Sequence, residues 1–514
     1  LHCQPKTLLI GEITERTGFF AEVFGDVLYA EVMMNIRLWL LVIAGSLLLG
    51  APSLIAQTYV SGEVFGVWSG VGNPYIVEDD LVVPTDKTLR INEGVQVLFR
   101  GYDSLSVYGR LVVVGTLQNP VIFDVHSSNS TGQWQGIFFK NGAMDDGEIS
   151  YAMIGNSFIG VSISYSNVGV NHSSITARAR GLDLLYSNGF YTENTIRCTF
   201  LSATGIYMVK CNAKIMRNTI HITSTSILFS SLGINANYCH NATIENNVIL
   251  VEGAGDLYGI RFENSNNLQV CFNVIESFSQ YISTGIFGID SDHPGLRNNT
   301  VATASTGLDK GILCNNAHAI VTNNIVMGNG DLSCYGISAE NSNLAISFND
   351  IWNETVNYHG CQAGDHDISL DPRFIGGYPC DYHLTEGSPC IDAGNPSYTD
   401  PDGTRSDMGA YYFPQLTVPE PSEVSLPTHH RLYANFPNPF NSETVIPFAI
   451  SQRTHVTIDI VNVLGRTVAR VLDSDMDSGE YSIPWSAGSL PSGMYFCRMT
   501  AGSNVFHQKI ILLR

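Results

Sequence analysis

A glycine followed by an aliphatic residue returns eight times through the middle of the chain, at Gly160, Gly181, Gly205, Gly233, Gly259, Gly285, Gly311 and Gly336. Successive intervals are 21, 24, 28, 26, 26, 26 and 25 residues. Six positions after each glycine stands a small residue, from Ser166 through Cys211 and Cys239 to Ser342. Thirteen or fourteen positions after it stands Ser173 in the first copy and an asparagine in every later one, from Asn194 to Asn349. An Ile or Val follows two residues on, from Ile175 to Ile351. Short β segments repeating at this period coil so that each strand pairs with its own copy one turn later, about 4.8 Å away. Aliphatic side chains then stack in columns, and an asparagine at a fixed turn forms a hydrogen-bonded ladder. The small column marks a bend where a larger side chain would not fit. A leucine-rich repeat needs a denser leucine pattern, and helical solenoids need a 3.6-residue period that is absent. The sequence predicts an all-β chain built on a parallel β-helix solenoid.

The carrying motif, Gly-Ile…Asn-Xaa-Ile, is complete at Gly205-Ile206 and Asn218-Thr219-Ile220. It resembles the right-handed parallel β-helix proteins of pectate-lyase-like architecture. Upstream, Leu105-Ser106-Val107, Leu111–Gly115 and Trp134-Gln135-Gly136-Ile137-Phe138-Phe139 read as earlier, less regular coils. The resemblance implies a fold rather than an activity, since this architecture hosts lyases, hydrolases, adhesins and inert stalks. Asp371-Pro372-Arg373-Phe374, Tyr382-His383-Leu384, Ser388–Gly394 and Asp407–Tyr411 resemble the terminal part of secreted β-helix proteins. They predict a cap from about residue 360, because an open last rung would expose unpaired strand edges.

Met34-Asn35-Ile36-Arg37, the apolar run Leu38–Leu49 and the stretch Ala51–Ala56 form the three regions of a secretory signal peptide. The run is shorter than the roughly 20 residues of a membrane span. Residues 1–33 then read as an upstream segment outside the functional protein, 34–56 as the signal peptide and 57–412 as the β-helix with its cap. Residues 413–432, with Pro414, Pro419, Pro421 and Pro427, read as a linker, and 433–514 as a separate domain. Alternation over Val445–Ile450, Val456–Val463, Thr467–Val471 and Met494–Met499 suits a small immunoglobulin-like β-sandwich. Its Phe436-Pro437-Asn438-Pro439-Phe440-Asn441, Val463-Leu464-Gly465-Arg466, Ser492-Gly493-Met494-Tyr495 and Lys509–Arg514 resemble the type A C-terminal sorting domains of the type IX secretion system. The resemblance implies passage through the periplasm to the outer cell surface or beyond, with the secretion machinery as a partner.

The formal charge of −21 and a pI near 4.9 argue against a nucleic-acid binder, which needs a basic surface. No Cys-x-x-Cys pair occurs, so zinc ribbons and thioredoxin-type motifs are not supported. Cys211 and Cys239 share the small column, as stacked thiols or as a bonded pair; Cys361, Cys380 and Cys390 crowd the cap, where one disulfide is expected.

Positions two and four after each glycine point outward by alternation. Among them Tyr207, Asn235, Asn237, Glu263 and Phe287 are candidate ligand-binding residues, since rings and amides suit the faces and hydroxyls of sugars. Arg261 is a candidate lyase base, and an ion pair with Glu263 is the plainer alternative. Glu263 and Glu340 stand three rungs apart, about 14 Å, beyond the roughly 5–9.5 Å of a glycosidase carboxylate pair. Asp292 and His318 fall in one column about 5 Å apart, a candidate acid–base or metal-binding pair. That column also holds Asn167, Asn188, Asn212, His240, Asn266 and Asn343, so a polar turn explains it without chemistry. Asp400, Asp402 and Asp407 are candidate calcium ligands, with ordinary Asp-Gly turn chemistry as the alternative.

These readings converge on an exported, monomeric β-helix that presents a face to a polysaccharide or cell-surface glycan. A polysaccharide lyase or glycoside hydrolase, and a structural stalk, are the alternatives on the same scaffold.

Overall fold

The computed structural model describes residues 57–329, 334–376, 380–415, 429–433, 435, 438, 440–463, 465–488 and 490–512. The segment read as a signal peptide and most of that read as a linker lie outside them. The chain divides into two units, Leu1–Gln415 and Leu416–Arg514.

In the first unit each turn lays one strand on each of three faces, and the copies pair in parallel. The first face carries the repeat glycines, in strands such as Thr204–Val209, Ser231–Asn237, Asp256–Glu263 and Ile282–Ile289. The second face carries the Ile/Val column, in Thr219–Ser224, Val248–Gly253, Val274–Ser279 and Thr300–Ser305. The third is a sheet of twelve described strands running from Gly66–Trp68 to Ala345–Ser347. The interior is a stack of aliphatic columns. Ile206, Ile234, Ile260 and Ile286 are register partners, all fully buried.

The glycine and Ile/Val columns fit each other. A Cβ on Gly233 would overlap Ile249 Cγ2 of the same turn and the Gly259 carbonyl oxygen of the next. The β-branched methyl therefore occupies the volume a side chain would need, and the two columns constrain one another turn after turn. Two left-handed corners per turn carry the chain between faces, one at Tyr186, Lys210 and Tyr238, the other at Arg217, Asn246 and Phe272.

The asparagine ladder forms as the sequence predicts, and its ends are chemically distinct. Inside it, Asn273 Oδ1 accepts both the Asn247 N–H and an Asn247 Nδ2–H at 3.0 Å, while Asn273 Nδ2 donates to Asn299 Oδ1 at 3.0 Å and to Ile244 O at 2.9 Å. At the start, Ser173 Oγ accepts from Ala152 N–H. At the far end stands Asp367, whose oxygens accept from Asn349 N–H and Nδ2–H, Tyr358 O–H and Gly364 N–H. Four donors meet four lone-pair positions there, so a carboxylate fits where an amide would not.

The cap does more than close the last rung. Residues 364–370 meet the terminal strand edge, with Ile351 N–H donating to Ile368 O and Leu370 N–H to Asp350 Oδ1. The chain then folds back along the second face. Phe374, Tyr382, Leu384, Cys390 and Met408 pack on Val274, Ala302, Ile325 and Met327. Exposure records the boundary: Val248 is 36% exposed, and its partner Val274, one rung on, only 4%. Cys361 and Cys390 are free thiols, so no disulfide joins them to each other or to Cys380, which is itself disulfide-bonded. Cys390 is buried and donates instead to Asp350 Oδ2. Cys211 and Cys239 are likewise buried free thiols, stacked rather than bonded.

The second unit is two antiparallel sheets. One pairs Arg431–Leu432, Glu443–Ile450 and Gly479–Ser486; the other pairs Thr467–Met476, Thr454–Asn462, Gly493–Ala501 and Asn504–Leu512. Between them lies an apolar core that includes Phe448, Ile458, Trp485, Met499 and Leu512.

Candidate functional site

One outward column of the first face runs Asp183, Tyr207, Asn235, Arg261 and Phe287, each the register partner of the next. At about 4.8 Å per rung the strip is about 19 Å long. A second column beside it holds Arg180, Thr204, Leu232 and Tyr258, one position before the glycine. Alternation slips at the glycine. In Asp256–Glu263 both Gly259 and Ile260 are buried, so Tyr258 and Arg261 face the same side. That slip makes the strip two residues wide.

The side chains on it are held by one another. Arg180 Nη1 bonds Asp183 Oδ1 at 3.0 Å, and its guanidinium lies 4.1 Å from the Tyr207 ring centroid. Burial raises the Asp183 carboxyl above its ordinary range, against the opposing pull of Arg180. Three rungs on from Asp183, Arg261 Nη2 donates to Glu263 Oε2 at 2.7 Å, with the guanidinium 5.9 Å from the Phe287 ring. The rings of Tyr258 and Phe287 stack at 5.8 Å with 20° between planes. Ser230, Leu232, Asn235, Tyr258, Arg261 and Phe287 together line a concavity of about 290 Å³. Asn235 is 9% exposed, and the Oδ1 atoms of Asn235 and Asn237 have no hydrogen-bond partner. The concavity thus combines an aromatic wall, one amide and a guanidinium edge, groups that suit a small polar ligand.

Of the ligand-binding candidates, Asn235 and Phe287 come together with Arg261; Glu263 is the ion-pair partner of Arg261, Tyr207 lies one rung before Asn235, and Asn237 sits one column over. Sequence reasoning missed Arg180, Leu232 and Tyr258 because it counted outward positions only after the glycine. A tabulation of the residue before each glycine would have shown Arg180, Tyr258, Lys310 and Tyr335 there.

Asp292 and His318 are register partners, as their column implies, but on the third face rather than beside Arg261. They belong to a second, exposed ladder at the corner. Asp292 N–H donates to Asn266 Oδ1, Asn266 N–H to His240 Nδ1, and Asn343 N–H to His318 Nδ1. Asn188 and Asn212 continue it in earlier rungs. Arg261 therefore stands on a different face from the Asp292 and His318 pair.

The acidic groups of the cap are committed to their own loops. Asp400 Oδ2 accepts the Asp407 N–H, Asp402 accepts from Thr404 and Gln415, and Asp407 accepts the Asp392 and Phe413 N–H groups. Among the described residues no group of three or more His, Cys, Asp and Glu is arranged to hold a metal ion, the Asp400, Asp402 and Asp407 set included.

Residues 434–513 match the family model of the secretion system C-terminal sorting domain. The protein is exported by type IX secretion. Its destination is the cell surface or the medium, and its second unit is what the secretion machinery engages. No curated protein matches the chain. Among solved structures, a mutant of the periplasmic alginate epimerase AlgG is 14% identical with a TM-score of 0.32, covering 58% of this chain and 77% of its own. Tailspike protein 2 of Escherichia coli O157:H7 bacteriophage CAB120 is 11% identical with a TM-score of 0.28, covering 88% of this chain and 64% of its own. A tailspike protein of Acinetobacter baumannii bacteriophage Fri1, a capsular polysaccharide depolymerase, is 10% identical with a TM-score of 0.21, covering 83% and 73%. Likeness at this level says nothing of what the present chain binds.

Proposed function

We propose that the exported solenoid binds a polysaccharide along its first face. Sugar rings lie against Tyr207, Tyr258 and Phe287, and their hydroxyls meet Asn235, Asn237 and Arg261. The observation that carries this reading is the concavity where Asn235, Arg261 and Phe287 converge with Tyr258. A length of about 19 Å suits an extended chain of several sugar units. In this reading residues 34–56 are the export signal, 57–412 the glycan-binding β-helix with its cap, 413–432 a linker and 433–514 the sorting domain, and the secreted form acts as a monomer.

A second reading, polysaccharide cleavage, is favoured by one observation: the half-buried, charge-disfavoured carboxyl of Asp183 beside Arg180 and Tyr207. The full chain should be screened against acidic and neutral polysaccharides, with and without calcium. Binding supports the first reading if Phe287→Ala and Arg261→Ala each weaken it about tenfold or more, the loss expected for a central contact. Newly formed reducing or unsaturated ends that vanish in Asp183→Asn establish cleavage. Retention unaltered by Phe287→Ala, or no retention on any polysaccharide, overturns the assignment of the face.

A further inference from the structure

The corner that closes the first face stands five positions after each repeat glycine. It holds Tyr165, Tyr186, Lys210 and Tyr238 in the first four copies and Asn264, Asp290, Asn316 and Asn341 in the last four. All eight have left-handed backbone, with φ between 45° and 55°. Asn and Asp enter that region with little cost, whereas bulky side chains are disfavoured there. Four consecutive rungs thus keep the disfavoured type at a position where the same fold accepts Asn. Bulky residues take the same region at the other corner, as at His172, Glu193 and Arg217, so this row is set apart by its place on the rim of the first face and by its chemistry.

The chemistry of the row is equally uniform. Tyr165, Tyr186 and Tyr238 are 49%, 38% and 47% exposed. The Tyr165 and Tyr186 rings stack at 4.6 Å with 14° between planes, so they turn edges and hydroxyls outward rather than faces. Lys210 Nζ donates to Tyr186 Oη at 2.7 Å and lies 5.1 Å from that ring centroid. This bond, aided by the nearby phenols of Tyr165 and Tyr238, holds the Lys210 ammonium above the ordinary lysine range. Three other cations of the face are matched with acids: Arg180 with Asp183, Arg261 with Glu263, Lys310 with Glu340. Lys210 rests on phenols instead, and so does Lys140 on a ring, 4.7 Å from Phe138. A cation held on one phenol oxygen and flanked by two further phenols, on a molecule of net charge −21, is a local reversal of sign.

We propose that Tyr165, Tyr186, Lys210 and Tyr238 form an oxyanion site that receives a sulfate, phosphate or carboxylate substituent carried by the glycan. The carrier rests on the groove reading above; the anion site does not.

The test uses the full chain and two polymers of one backbone, dextran sulfate and unmodified dextran of matched length, with carboxymethyl dextran as a third arm. An anionic dextran should bind about tenfold or more tightly than plain dextran at low salt, with the preference falling as salt rises. Lys210→Gln should remove most of that preference, whereas Lys87→Gln, an exposed lysine in an early coil, should not. Tyr238→Asn should weaken binding while leaving the unfolding midpoint at or above that of the parent, because Asn suits the left-handed corner. Phe287→Ala should keep the preference, so failure of the groove and failure of the corner give different results. The proposal falls if neither anionic dextran is preferred, if Lys210→Gln binds within about twofold of the parent, or if Lys87→Gln loses as much.

Discussion

Replacing Asn273 probes whether the interior ladder holds the solenoid together. Its side chain is fully buried and takes part in five hydrogen bonds: it accepts two from Asn247 and donates to Ile244 O, Cys271 O and Asn299 Oδ1. Asn273→Ala strands the buried Asn247 N–H, at about 1–3 kcal/mol, and removes amide bonds worth about 1 kcal/mol each. The total is roughly 3–5 kcal/mol. Asn273→Ser should cost about 1–2 kcal/mol, because a hydroxyl keeps an acceptor for that N–H, as Ser173 Oγ does for Ala152. Asn273→Asp should be the worst of the three: the carboxylate keeps the acceptor but faces Ile244 O, Cys271 O and Asn299 Oδ1 without a proton to give. An acid is tolerated only at the ladder's end, where Asp367 meets donors alone. The assay is amide hydrogen exchange by mass spectrometry on peptides around residues 245–275, with peptides of the second unit as internal reference. The expected order of protection is Asn, Ser, Ala, Asp. Equal protection in the Ser and Ala variants, or a loss under about 1 kcal/mol for Ala, would refute the reasoning.

Other outcomes follow from the same geometry. Gly233→Ala should cost about 2–3 kcal/mol, because its Cβ overlaps Ile249 and a backbone oxygen, and a urea midpoint equal to the parent would contradict the paired-column account. Burial lifts Asp350 and Asp407 to about 6 and Glu354 to about 8. These folded values lie above the unfolded ones, so the unfolded chain gives up the protons first as pH rises, and stability declines between about pH 4 and pH 8. The cap end should therefore unfold at higher urea at pH 5 than at pH 8, read by near-UV circular dichroism, and the reverse order would contradict the assignment. Asp292→Ala and His318→Ala, on the exposed corner ladder, should change stability by no more than about 0.5–1 kcal/mol and leave glycan binding unaltered.

The repeat made much of this structure readable. Gly233, Ile249 and Asn247 each satisfy a requirement imposed by the next turn, so their spacing records the fold directly. The cap's course was not readable in that way, because its contacts join residues far apart in the chain, such as Tyr382 O–H to Glu276 Oε1 and Asn298 Nδ2 to Asp407 O. A trace of it was present: the outward column Thr219, Val248, Val274, Thr300 and Ile325 holds apolar or hydroxyl residues and no charge, which suits a covered face. The binding face was half readable. Period-two counting found Asn235, Arg261 and Phe287, but the slip at the glycine put Tyr258 and Arg180 on the same side, and only backbone geometry reveals that slip. Asp292 and His318 were placed correctly as neighbours, and their bonds show them to be members of a ladder.

The most direct test of glycan binding along the first face is hydrogen exchange of the full chain with and without a polysaccharide it retains. Added protection should appear in Thr204–Val209, Ser231–Asn237, Asp256–Glu263 and Ile282–Ile289. Protection confined to the third-face strands, or none in these four segments at saturating polysaccharide, would contradict the account.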